Sequence, residues 1–121
     1  MTAVASAVLA LLVLVPAPKN LPPERAYSGQ TADEFQEIFD ELAKNGWRLT
    51  RIKGYEKNGE SRYDSEWCKA KGPRFWVHHR LDRDRYEQAT RQYAGEGFTE
   101  TMKSTWKASG QEWFFAVWEL K

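Results

Sequence analysis

The sequence has a single cysteine, Cys68, and only two histidines, His78 and His79. One cysteine excludes an intramolecular disulfide and a cysteine-rich metal cluster, so Cys68 reads as an inert strand residue. Neighbouring histidines on a strand face opposite ways and cannot share a metal as two histidines one helical turn apart do. No sign of charge predominates: 18 Lys and Arg stand against 17 Asp and Glu, a net charge of +1. That balance supplies no field for gathering nucleic acid or an acidic membrane. No apolar run reaches the roughly 20 residues that span a bilayer. The run Ala3 to Val15, interrupted only by Ser6, has instead the length of a signal-peptide hydrophobic region. Residues 1–17 are expected to be a signal-like or anchor segment and the only membrane contact, which points to the extracellular space or the cell envelope. No Lys or Arg precedes the run, and Pro18 stands directly after Val15-Pro16-Ala17, where it obstructs cleavage. Residues 18–30, introduced and interrupted by closely spaced prolines, read as an extended linker, with Ala26 to Ser28 as a short strand candidate.

Aromatic residues are abundant, with six Trp, five Tyr and six Phe. Large rings let a short chain bury enough apolar area to fold, and they are read first as core. Their placement is periodic. Sliding the sequence on itself by 51 positions aligns residues 31–70 with 82–121 without a gap. Thr31 falls on Asp82, two helix N-cap types, and Thr31 with Glu34 has the capping-box spacing. Phe35, Ile38, Phe39 and Leu42 then follow at helical spacing, matched by Tyr86, Ala89, Thr90 and Tyr93. Gly46 and Gly97 coincide where the helical period stops, each followed by an aromatic residue, Trp47 or Phe98. Turn glycines Gly59 and Gly110 coincide as well. Beyond them Tyr63, Ser65 and Trp67 overlie Phe114, Ala116 and Trp118, a large-small-large pattern on one strand face.

Gly72-Pro73 marks a turn, and Phe75 to Arg80 reads as a third strand of the first unit. A hairpin about Ala70 to Pro73 would set Trp67 opposite Trp76, Ser65 opposite His78 and Asp64 opposite His79. The expected fold is α+β: two helix-strand-strand repeats of period 51 forming an antiparallel sheet packed by two helices. The repeat domain covers 31–121, in units 31–81 and 82–121.

The string Gly46-Trp47-Arg48-Leu49-Thr50-Arg51-Ile52-Lys53-Gly54-Tyr55, then Arg62-Tyr63-Asp64-Ser65-Glu66-Trp67, then His79-Arg80-Leu81-Asp82, resembles the bacterial tandem repeat domain. The resemblance spans about residues 30–120, strongly in the first unit and weakly in the second, where Thr105-Trp106 replaces the glycine-tyrosine pair. Such repeats occur in exported proteins, including the region before the β-lactamase-like domain of polyglycine hydrolases. The resemblance implies a binding or structural role, names no target, and matches His79 to a family histidine expected to bond backbone at the strand-to-helix junction.

Chemistry-bearing motifs are sparse. Ser104-Thr105-Trp106-Lys107 matches the Ser-x-x-Lys pattern of serine β-lactamases, but that chemistry needs a helix start, and here the motif sits in an expected strand whose positions three apart face opposite ways. Asp82 and Asp84 lack the glycine and distal glutamate of a calcium loop and read as an N-cap and a first-turn acid. An Asp64–His79 contact could orient an imidazole or be a plain cross-strand pair. No catalytic residue, metal site or cofactor is expected. The leading reading is a non-catalytic module binding a protein or peptide. Carbohydrate recognition is the alternative, and a hydrolase the third. Trp76, Trp106, Trp113 and His79 are the candidate ligand-binding residues. Trp113, which replaces Arg62 of the first unit, should lie on the face opposite Phe114, Ala116 and Trp118, leaving open that one of those faces is wet. Exposed coplanar rings would favour sugar; buried rings and a bare sheet edge would favour a protein partner.

Overall fold

The computed structural model describes residues 23–121; the apolar segment 1–17 and residues 18–22 of the expected linker lie outside them. The elements run β1 (Glu24–Gln30), α1 (Ala32–Lys44), β2 (Trp47–Lys57), β3 (Glu60–Lys69), β4 (Phe75–Leu81), α2 (Arg83–Gly95), β5 (Phe98–Ala108) and β6 (Gln111–Leu120). Adding 51 to the bounds of the first four yields those of the last four. Each unit is therefore strand, helix, strand, strand. Thr31 and Glu34 form the capping box of α1, and the Asp82 side chain accepts from the Arg85 N–H at the start of α2. The β2–β3 and β5–β6 hairpins turn through Asn58-Gly59 and Ser109-Gly110, whose successive positive φ angles match the twist of the strands they join.

Two antiparallel three-stranded sheets result, ordered β1-β3-β2 and β4-β6-β5. The α+β class, the period and the two covering helices are as expected. Even the bulges repeat: the register shifts between Tyr27 and Gln30 and between His78 and Leu81, and again between Leu49 and Arg51 and between Glu100 and Met102.

Three expectations are corrected. The hairpin about Gly72-Pro73 does not form, because both edges of β3 are already hydrogen-bonded, to β1 and β2. β4 pairs instead with β6, so Trp76 lies opposite Trp118 and His78 opposite Ala116. By its pairing β4 opens the second unit rather than closing the first. Finally, the strand candidate Ala26 to Ser28 forms but is longer than expected, so that part of the expected linker is strand β1, whose last residue, Gln30, is buried.

The sheets differ in what covers them. In β3 the buried residues alternate, Tyr63, Ser65 and Trp67, with more exposed ones between. In β6, Phe114 to Trp118 are all buried. Phe114 stacks on Tyr86 at 4.5 Å and Trp118 packs on Tyr93 at 5.1 Å, both on α2. The opposite face is not wet: Phe115 meets Phe35 of α1 at 5.1 Å and Tyr63 of β3 at 5.4 Å. The aromatic stripe of α1 thus serves two sheets, its Phe39 reaching both Trp67 and Phe75. Arg48 adds a polar tie between units, bonding Glu119 at 2.9 Å and lying over the Phe75 ring.

Candidate functional site

The four candidate residues fall in two places. Trp106 and Trp113 are cross-strand partners on β5 and β6, and so share a face of the second sheet. They border a groove of about 650 Å³ at the junction of the units, closed on its other sides by the first turn of α1, the start of β3, Arg80 and Arg85. Trp106 is buried, at 8% exposure, which corrects its expected role as an open stacking ring. The reason is a glycine: Gly54 of β2 leaves room for the indole to cross the junction, with no space between for a Cβ. The Trp106 N–H then donates to Ser61 Oγ at 2.8 Å, and its ring meets Tyr63 edge-on at 5.5 Å. Trp113 is half-buried and donates to the Ala108 carbonyl at 3.3 Å.

His79 lies beside this groove, between the units. Its ring packs on Phe35, Tyr63 and Phe115. Nε2 faces the Gln36 carbonyl oxygen at 2.8 Å and Nδ1 faces the Tyr63 hydroxyl at 3.2 Å. An acceptor on one side fixes the proton on Nε2, leaving Nδ1 to accept from Tyr63. Burial, with the Arg80 and His78 charges against it, lowers the His79 pKa to about 4, while burial raises that of Tyr63 to about 12. Both rings are neutral over the ordinary pH range. His79 therefore bonds side chains rather than the backbone expected of it, and the possible Asp64 contact is not made. Asp64 accepts from the Gly29 N–H at 2.8 Å and the Tyr55 hydroxyl at 2.9 Å.

Trp76 stands apart, on the α2 side of the second sheet, 42% exposed. It stacks on Tyr93 at 5.6 Å and 15°. His78, on the opposite face of β4 from His79, stacks on the same tyrosine and meets its hydroxyl through Nε2 at 2.6 Å. Burial lowers the His78 pKa.

Ser104 and Lys107 both lie on β5, where positions three apart point to opposite sides, and Ser104 Oγ accepts from the Gly54 N–H at 2.8 Å. The serine is engaged in joining the units.

A family model described as polyglycine hydrolase-like, structural repeat, matches residues 21–70 and 72–120. The chain belongs to that family. The two matches divide between β3 and β4, where the hydrogen bonding also divides the structural repeats. No curated protein matches the chain. What the residues alone did not reveal in these structural repeats is the rim of the groove: Arg80, Arg85 and Asp33. A signal was present in the 51-residue offset, which pairs Gly29 with Arg80. Both have left-handed backbones, φ 63° and 59°. Glycine adopts that conformation readily and arginine does not.

Proposed function

We propose that this repeat module is non-catalytic and binds a protein or peptide segment, within an exported or envelope-tethered protein. One observation carries the reading: the groove at the unit junction, walled by the half-buried ring of Trp113 next to the largely buried Trp106, with charged residues at its rim. Ligand sites of this kind combine apolar walls with a few polar groups that fix orientation. The indole N–H groups of Trp106 and Trp113 are already bonded within the protein. The walls thus offer ring surface more than donors, which suits side chains better than sugar hydroxyls. Export rests on the apolar run Ala3 to Val15.

Carbohydrate recognition is the second reading, favoured by the exposed, stacked ring of Trp76. One experiment separates the two. The full chain, labelled with nitrogen-15, is screened against a displayed random-peptide library, and its indole N–H signals are followed with enriched peptides and with chitin and cellulose oligosaccharides. Peptide enrichment with shifts at Trp106 and Trp113 is expected. Oligosaccharide shifts at Trp76 without any peptide enrichment would overturn the reading, as would turnover of an enriched peptide by the purified chain.

A further inference from the structure

We infer that the groove between the units recognises an acidic peptide segment, with a carboxylate side chain held by Arg80 and Arg85 and a neighbouring apolar or aromatic side chain laid against Trp113, beside the buried Trp106. The inference rests on the peptide-binding reading and deepens it.

The backbone at Arg80 is the first argument. The bulge before each helix needs a left-handed residue: the first unit supplies Gly29, the second Arg80, at nearly the same φ. A side chain in that conformation is strained, and strained residues cluster where function requires a particular side chain. Here the strained residue borders the groove.

Charge is the second. Of the four charged residues around the groove, Asp33 is bound by Arg80 at 2.6 Å and Glu60 by Arg62 at 2.9 Å. Arg85 makes no ion pair among the described residues. Its backbone N–H is held by the Asp82 cap, while its guanidinium is left for a ligand. Arginine presents a planar fork that matches a carboxylate. A phosphate, carrying closer to two charges, would face the Asp33 and Glu60 carboxylates as well; a single carboxylate meets less repulsion. The Arg80–Asp33 pair is exposed on both sides, so a ligand carboxylate can share the Arg80 fork without stranding a buried charge.

The test uses the full chain and blocked tetrapeptides: acetyl-Ala-Phe-Glu-Ala-amide, its glutamine twin and its phosphoserine twin. Indole N–H shifts of Trp106 and Trp113 report occupancy. The glutamate peptide should bind about tenfold more tightly than the glutamine peptide, the scale of one charged hydrogen bond. Arg85→Ala and Arg80→Gly should each remove most of that preference. Arg80→Gly puts in the residue the first unit already uses, so the fold survives it, as an unchanged melting curve would verify. Equal binding of both peptides, preference unaffected by Arg85→Ala, tighter binding of phosphoserine, or absence of shifts at the two tryptophans would overturn the inference. If library peptides bind elsewhere on the protein, the peptide-binding reading stands and this site falls; if none binds anywhere, both fall.

Discussion

Gly54 of β2 lies flat against the indole of Trp106, a contact between the two units in which an added Cβ would stand 2.9 Å from Cδ2 and closer still to two other ring atoms. The ring has little freedom to retreat, being buried and tethered to Ser61. Gly54→Ala should therefore destabilise the protein by about 1–3 kcal/mol, the range for overpacking. Urea denaturation checks this. Full stability in the variant would show that the units are not in close contact here.

The hydroxyl of Ser65 joins a buried polar chain, donating to Gln30 at 2.7 Å and accepting the Trp67 N–H at 3.0 Å. In the second unit the equivalents are Leu81 and Ala116, and the Trp118 N–H has no partner among the described residues. Ser65→Ala should cost about 1–3 kcal/mol by leaving polar groups buried and unpaired. Trp67→Ala removes a ring that is 1% exposed and should cost about 3–5 kcal/mol, enough to unfold or nearly unfold a domain of ordinary stability. Equilibrium melts that match the parent would contradict both assignments.

His79 makes stability depend on pH. Its folded pKa is lowered from 6.5 to about 4, so between those values the unfolded chain binds the extra proton. The contribution is present in full above about pH 6.5 and is lost as pH falls through about 4; from about pH 7 to about pH 5 the loss should approach 2 kcal/mol. Urea melts of the parent and of His79→Gln at both pH values measure it. The variant should lose less over this window, and an equal loss in both proteins would remove His79 from the account.

The repeat was legible because its punctuation is local. A capping residue, a helix-ending glycine and a turn glycine act through their own backbones, and all recur at 51 residues. The first strand of each unit was legible as a strand, at Ala26 to Ser28 and Phe75 to Arg80, but its pairing was not, because its partner is distant in sequence: β1 pairs with β3, and β4 with β6. A reading that favours the nearest neighbour joined β4 to β3, whose edges are taken. Of the site, Trp106 and Trp113 could be found from their spacing about the Ser109-Gly110 turn. Arg80 could not, since no sequence rule places arginine in a left-handed bulge, although the glycine at its equivalent position points there. The departure at Thr105-Trp106 also has a spatial meaning. Gly54 accommodates a ring from the next unit, whereas Thr105 is exposed and accommodates none.

The units share a core on one face of β6, where Phe115 and Val117 join Phe35, Tyr63 and Trp67, while the other face packs with α2 in a second cluster; the groove lies where the units join. Phe115, fully buried on β6 against Phe35 and Tyr63 of the first unit, is the residue that probes this. Native-state hydrogen exchange of Phe115→Ala is the direct measurement. Protection of the β3 amides of Tyr63 and Trp67 should fall together with that of β6, by the equivalent of about 3–5 kcal/mol. Loss of protection confined to β4, β5 and β6, with β3 unchanged, would mean that the units fold independently and would contradict the account.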